Sequence, residues 1–186
     1  FAALGAGPTR VTFGGVASAN VSVLDDATVA CDAPAGAPAS TVLVELENEN
    51  GSDSLAAAFR YHARPGLTAL TPQRGTALGG TTVTLTGSGF TVDGPGTNSV
   101  RFGGLAAQNV TALSNTSLTC TTPGGAGTVD VVLSNRNGSA TLPAAFRFIP
   151  APTLLSVSPA RGPEAGGTSL TLTGSGFTAE LAGVNT

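Results

Sequence analysis

Thr84-Leu85-Thr86-Gly87-Ser88-Gly89-Phe90 is spelled again, residue for residue, as Thr171-Leu172-Thr173-Gly174-Ser175-Gly176-Phe177, a shift of 87 positions (84 to 171). Upstream, Leu70-Thr71-Pro72, Arg74-Gly75 and Gly79-Gly80-Thr81 return as Val157-Ser158-Pro159, Arg161-Gly162 and Gly166-Gly167-Thr168. A second set of matches covers the first half of the chain. Val11-Thr12-Phe13-Gly14-Gly15 corresponds to Val100-Arg101-Phe102-Gly103-Gly104, Asn20-Val21 to Asn109-Val110, and Cys31 to Cys120. After a two-residue difference in loop length, Asn48-Glu49-Asn50-Gly51-Ser52 matches Asn135-Arg136-Asn137-Gly138-Ser139, and Ala58-Phe59-Arg60-Tyr61 matches Ala145-Phe146-Arg147-Phe148. Self-similarity at a fixed period marks a repeat architecture, in which each period is one structural unit.

Phe1 aligns with Phe90, which sets the expected division. Residues 1–62 form a partial repeat lacking its first strands, 63–149 a complete repeat, and 150–186 the start of a third. Both ends of the chain therefore read as falling inside repeats. The short, Pro-containing connections 61–66 and 148–152 predict semi-rigid joints between end-to-end modules.

Within the period, side chains alternate. Val129, Val131 and Leu133 read as inward and Asp130, Val132 and Ser134 as outward; the equivalent strand has Val42, Val44 and Leu46 inward and Leu43, Glu45 and Glu47 outward. Asn50-Gly51 and Asn137-Gly138 predict tight hairpins with two positive φ values. About seven short strands per period, rich in Val, Thr and Leu and separated by turn residues, predict an all-β fold of two packed sheets. Composition agrees. The chain has 26 Gly and no Met or Trp, which suits short strands and turns better than a helical bundle.

The string from Leu70 to Phe90, followed by Val100-Arg101-Phe102-Gly103-Gly104 and Leu118-Thr119-Cys120-Thr121-Thr122-Pro123, resembles the IPT/TIG repeat, an immunoglobulin-like β-sandwich. The resemblance covers the whole chain and rests on several separated motifs in a fixed order. It implies tandem immunoglobulin-like (IPT/TIG) β-sandwich repeats. The family serves in ectodomains of plexins, Met-type receptors and fibrocystin-like ciliary proteins, in bacterial and algal surface proteins, in some starch-acting enzymes and in Rel-type transcription factors. Fold is thus implied more strongly than function.

The residues offer little chemistry. His62 is the only histidine and lies in a connection, so neither a catalytic triad nor a zinc site is expected. Asp25 and Asp26 read as a solvated turn rather than an acid–base pair. Glu45, Glu47 and Glu49 fit an exposed strand face rather than a cation site, and no cofactor is expected. Gly87-Ser88-Gly89 and Gly174-Ser175-Gly176 read as strand-end turns, because no helix with a basic residue follows to hold a phosphate. Cys31 and Cys120 occupy equivalent places in successive repeats and are expected to be unbonded to each other, each a small thiol filling core space.

Five of the nine asparagines open an Asn-x-Ser/Thr sequon: Asn20, Asn50, Asn109, Asn115 and Asn137. With Ser and Thr at about a fifth of the chain, roughly two would arise by chance. The excess points to N-linked glycans and hence to secretion, although Asn-Gly-Ser is also good turn chemistry. The net charge of −3, with eight scattered Arg and no Lys, lacks the basic patch of a nucleic-acid binder. No apolar run reaches the length of a membrane span. The expected protein is a non-catalytic structural or adhesive segment of a large extracellular or cell-surface glycoprotein, such as a flagellar or cell-wall protein, whose partners are other protein chains or neighbouring repeats, with filament formation through sheet edges as one mode. The alternative is an accessory module of a secreted carbohydrate-active enzyme. A transcription-factor dimerisation module ranks last, given the net acidity.

Overall fold

The computed structural model describes residues 7–178, and these form β-strands joined by turns, with no helix among them. The chain divides into two compact units, Phe1–Ala63 and Arg64–Thr186. Unit 1 holds β1 (Arg10–Phe13), β2 (Val16–Ala17), β3 (Ala19–Asp25), β4 (Thr28–Asp32), β5 (Thr41–Asn48) and β6 (Gly51–Arg60). Unit 2 holds β7 (Gly66–Thr71), β8 (Arg74–Thr76), β9 (Thr82–Ser88), β10 (Ser99–Phe102), β11 (Leu105–Ala106), β12 (Gln108–Ala112), β13 (Ser117–Thr121), β14 (Gly127–Asn135) and β15 (Gly138–Ile149), followed by β16 (Thr153–Ser158) and β17 (Thr171–Ser175).

From β7 to β15 the complete repeat is a sandwich. One sheet has the order β12-β13-β9-β7 and the other β11-β10-β14-β15-β8. All pairings are antiparallel except β15 with β8, where Phe148 lies beside Gly75 in parallel. Nine strands replace the expected seven because two short edge segments, β8 and β11, also pair. The predicted alternation holds at Val131 and Leu133, which are buried, and at Asp130, which is exposed, while Val129, Val132 and Ser134 are all half-buried. Leu70, Val83, Leu85, Leu118 and Cys120 from one sheet meet Val100, Phe102, Val131, Leu133, Phe146 and Phe148 from the other in a single core. Phe102, Phe146 and Phe148 stack edge to face with centroids 5.1 and 5.0 Å apart, a geometry worth about 1 kcal/mol per pair beyond area burial. Phe148 and Ile149 belong to β15 and are buried. The connection expected to start at 148 therefore begins later, at Pro150.

The hairpins correct a second expectation. Asn50 and Asn137 do not take positive φ; only Gly51 (φ 135°) and Gly138 (φ 134°) do. Asn48 and Asn135 shape these tips, each accepting from the backbone N–H two residues on at 2.9 Å, so a side-chain turn replaces the Asn-Gly backbone turn. The two-residue turn with both φ values positive is instead Gly14-Gly15 (57°, 82°) and Gly103-Gly104 (57°, 87°), which sets Phe13 opposite Val16 and Phe102 opposite Leu105. Its twist matches that of the flanking strands, and both positions suit glycine. At Gly87 and Gly174 the reason for glycine is contact: a Cβ would overlap the carbonyl oxygen of Gly66 or Thr153 on the paired strand. The Thr71-Pro72 and Ser158-Pro159 peptides are both cis.

Unit 1 repeats the second part of this plan. Its sheet β2-β1-β5-β6 has the same pairings and registers as β11-β10-β14-β15, while β3 and β4 form a separate two-stranded sheet equivalent to β12 and β13. Val11 and Phe13 are buried, and Phe13, Phe59 and Tyr61 continue the edge-to-face stack. Val29, Cys31, Val44 and Leu46 are only half-buried. They line, with Val11 and Phe13, an apolar cleft of about 360 Å³.

Candidate functional site

The sequence places its polar side chains mainly at turns, and in the complete repeat several of them converge on one loop, residues 89–98. Asn98 Nδ2 donates to the Phe90 carbonyl at 2.8 Å, and Asn135 Nδ2 donates to the Gly89 carbonyl at 3.0 Å and to Asn98 Oδ1 at 3.1 Å. Asn137 Nδ2 donates to the Asp93 carbonyl at 3.2 Å, and Arg136 N–H to the Pro95 carbonyl at 2.8 Å. From the other sheet, Asn115 Oδ1 accepts from the N–H groups of Thr91 and Val92 at 3.3 and 3.4 Å. Carboxamides neither titrate nor attack, so this constellation holds backbone. Asn98 and Asn135 escaped the sequence reading. Asn135 recurs as Asn48 and was visible in the repeat, but Asn98 corresponds to Thr9 and left no periodic trace.

The five sequons fall into three settings. Asn50 is exposed at the β5–β6 tip. Asn20 and Asn109 are exposed on equivalent bulged strands, both at φ 51°, where Asn20 Nδ2 donates to Asp32 and Asn109 Nδ2 to Thr121 Oγ1 at 3.3 Å. A left-handed φ within a strand is well tolerated by Asn, which gives these two residues a backbone role as well. Asn115 and Asn137 are half-buried in the loop clamp.

The remaining candidates are separated from one another. Asp25 Oδ1 accepts from Ala27 N–H at 2.8 Å in the two-residue β3–β4 turn, and that bond holds its carboxyl below the usual range. Asp26 lies exposed beside it and His62 exposed after β6. Glu47 stands directly across from Arg10, and Glu45 across from Thr12. Among the described residues no three His, Cys, Asp or Glu side chains gather as a metal site would require, and no helix is long and apolar enough to cross a membrane. Both cysteines are free. Cys120 is buried, and desolvation pushes its thiol up to about 11; Cys31 is half-buried at the cleft. Gly87-Ser88-Gly89 closes β9 as a turn, with Gly89 at φ 77°.

A two-sheet antiparallel core, paired aromatic side chains and polar groups consumed in holding loops define the class of immunoglobulin-like β-sandwich repeats. Residues 65–148 and 152–185 match the IPT/TIG domain model, and the chain belongs to that family. Among curated proteins it is similar to human Fibrocystin-L, 29% identical over 175 residues, covering 89% of this chain and 4% of that protein. The chain thus spans about 4% of the length of the relative it matches. Among solved structures it resembles the plexin A4 full extracellular region (20% identity, TM-score 0.47, covering 81% of this chain and 13% of that one). It also resembles SGBP-B from a Bacteroides uniformis xyloglucan utilization locus (22% identity, TM-score 0.40, covering 74% and 41%).

Proposed function

We propose that this chain is a non-catalytic structural or adhesive segment of a large extracellular or cell-surface glycoprotein, with flagellar or cell-wall proteins as fitting settings. Its work is spacing and contact with other protein chains or neighbouring repeats, made through sheet faces, strand edges and loop tips. The observation that carries this reading is how the complete repeat uses its side chains. Its buried aromatic and strand-borne apolar groups form one core, and its half-buried amides are engaged in holding a loop. The family and its use in fibrocystin-like and plexin ectodomains support an extracellular setting.

A carbohydrate-binding accessory module calls for exposed aromatic platforms. Tyr61, the only tyrosine, instead packs edge-on against Phe59 and donates its hydroxyl to the Pro34 carbonyl at 2.8 Å. That arrangement favours the structural reading. Mass spectrometry on protein from its native source, with and without glycan-removing enzyme, tests it. Glycan mass at Asn50 is expected; a bare polypeptide that is also shielded from protease in intact cells would overturn the surface assignment.

A further inference from the structure

The complete repeat has four outer strands, β7 and β12 in one sheet and β8 and β11 in the other. An outer strand offers unpaired N–H and C=O groups to other chains, and folds blunt it by shortness, proline, charge or a bulge. β11 and β8 are two and three residues long. β7 is bracketed by Pro65 and Pro72 and bulged between Leu67 and Ala69. β12, Gln108-Asn109-Val110-Thr111-Ala112, has none of the first three devices. It runs for five residues, and the whole stretch 103–122 holds no charged residue and no proline. Leu113, directly after it, and Leu105, shortly before it, are 64 and 52% exposed. The edge is thus uncharged and flanked by apolar surface.

What β12 does carry is Asn109-Val110-Thr111, a sequon set in a bulge. The ladder steps from Gln108 opposite Thr121 to Thr111 opposite Thr119, so Asn109 and Val110 together stand against Cys120. Val110 packs on the core, while Asn109, at φ 51°, is exposed. Its Nδ2 donates to Thr121 Oγ1 at 3.3 Å, a contact that uses one of two amide protons. The Thr111 hydroxyl donates to the Asn109 carbonyl at 3.4 Å, which brings the two polar members of the sequon together. Asn20-Val21-Ser22 on β3 repeats the sequon, the bulge and the φ of 51°. Asn115 and Asn137 differ: both are half-buried and hold the 89–98 loop, Asn137 through the very nitrogen that a sugar would occupy.

We propose that Asn109 bears a glycan and that this sugar is the guard of the β12 edge, keeping other strands from its N–H and C=O groups; Asn20 does the same on β3. In the modification Nδ2 bonds to the anomeric carbon of an oligosaccharide carried on a lipid pyrophosphate. The pyrophosphate leaves with the bonding electrons, and one amide proton goes to base. The second N–H remains to donate to Thr121, so the fold gives up no hydrogen bond. The inference rests on the extracellular glycoprotein reading and names the part that the sugar plays.

Glycopeptide mapping of the protein from its native source is the first test. Sugar on Asn109 and Asn20, with Asn115 and Asn137 bare, is expected. Asn109 bare beside a glycosylated Asn50 overturns this inference and leaves the surface reading standing, whereas a chain bare at every sequon overturns both. The second test reads the edge itself. The 186-residue chain is secreted from a glycosylating eukaryotic host, and amide hydrogen exchange of a peptide spanning β12 is followed from low micromolar to near-millimolar protein, a readout local to this strand. With the sugar present, exchange should be independent of concentration. In Thr111→Ala, which keeps Asn109 but breaks the sequon, and in the unsubstituted chain from a host without N-glycosylation, β12 should gain several-fold protection as edges of two copies pair. Thr111→Ser keeps the sequon and should behave as the parent. Thr111→Lys lacks the sugar but sets a charge on the edge, and should restore concentration-independent exchange. Equal β12 exchange with and without sugar at every concentration, or protection that persists in Thr111→Lys, overturns the proposal.

Discussion

The side-chain amide of Asn135 donates to Oδ1 of Asn98 at 3.1 Å, and each of the two also holds a carbonyl of the same loop, Gly89 and Phe90 respectively. The pair ties the end of β14 to the start of β10 and to the turn that follows β9. Asn98→Ala would leave the Phe90 carbonyl without its Asn98 donor and remove one of the three Asn135 side-chain hydrogen bonds in a half-buried place. An unmet group of this kind costs about 1–3 kcal/mol. Urea unfolding of unit 2 should show that loss, and Asn135→Ala combined with Asn98→Ala should cost less than the sum of the two, since they share one network.

Phe102→Ala should be strongly damaging. Phe102 is fully buried and stacks on Phe146 at 5.1 Å, and removing a large buried ring costs about 3–5 kcal/mol. Phe13→Ala, at the equivalent place, removes a ring that is 8% exposed and stacks on Phe59 at 5.1 Å. Its cost should be smaller. Thermal melts of the two variants, followed by a probe in each unit, give the comparison.

Cys120 predicts a pH dependence with a definite sign. Its folded thiol is raised to about 11 from an ordinary value of 9.0 by desolvation. Below about pH 9 both folded and unfolded thiols are neutral, and the stability is fully present. As pH rises from about 9 toward 11 the unfolded chain ionises first, so stability declines through that window. Cys120→Ala should lower stability at pH 7 but flatten the Cys120 part of the decline. In thiol-labelling at pH 8, one cysteine should react readily and one only on unfolding, the slow one being Cys120.

Gly104→Ala and Gly87→Ala should differ in kind. At Gly104 a Cβ meets nothing within 4 Å, but φ is 87°, so the cost is the backbone penalty alone, about 1–2 kcal/mol. At Gly87 a Cβ overlaps the Gly66 carbonyl on the paired strand and comes within 2.7 Å of Phe90. The β7–β9 pairing must part there, and a larger loss is expected. Circular dichroism melts should rank Gly87→Ala well below Gly104→Ala.

The clearest legible features were those that the chain repeats. Val131, Leu133 and Cys120 are legible as core positions because alternation and recurrence both mark them, and burial bears this out. The Asn-Gly hairpins were misread in detail because the competing interaction is a side-chain one: Asn48 and Asn135 cap the turn two residues on, which relieves Asn50 and Asn137 of positive φ. Asn98 was invisible because its partners, Phe90 and Asn135, lie 8 and 37 residues away and come together only when two sheets stack.

By itself the sequence determined the all-β class, the repeat and the family, since these follow from local alternation, turn residues and self-similarity. The tertiary structure alone decided which asparagines clamp the 89–98 loop, and that the apolar faces of β9 and β13 are covered by those of β10, β14 and β15. The physical reason is that a strand's apolar face is written in its own residues, whereas whether that face is covered depends on which other strand packs upon it.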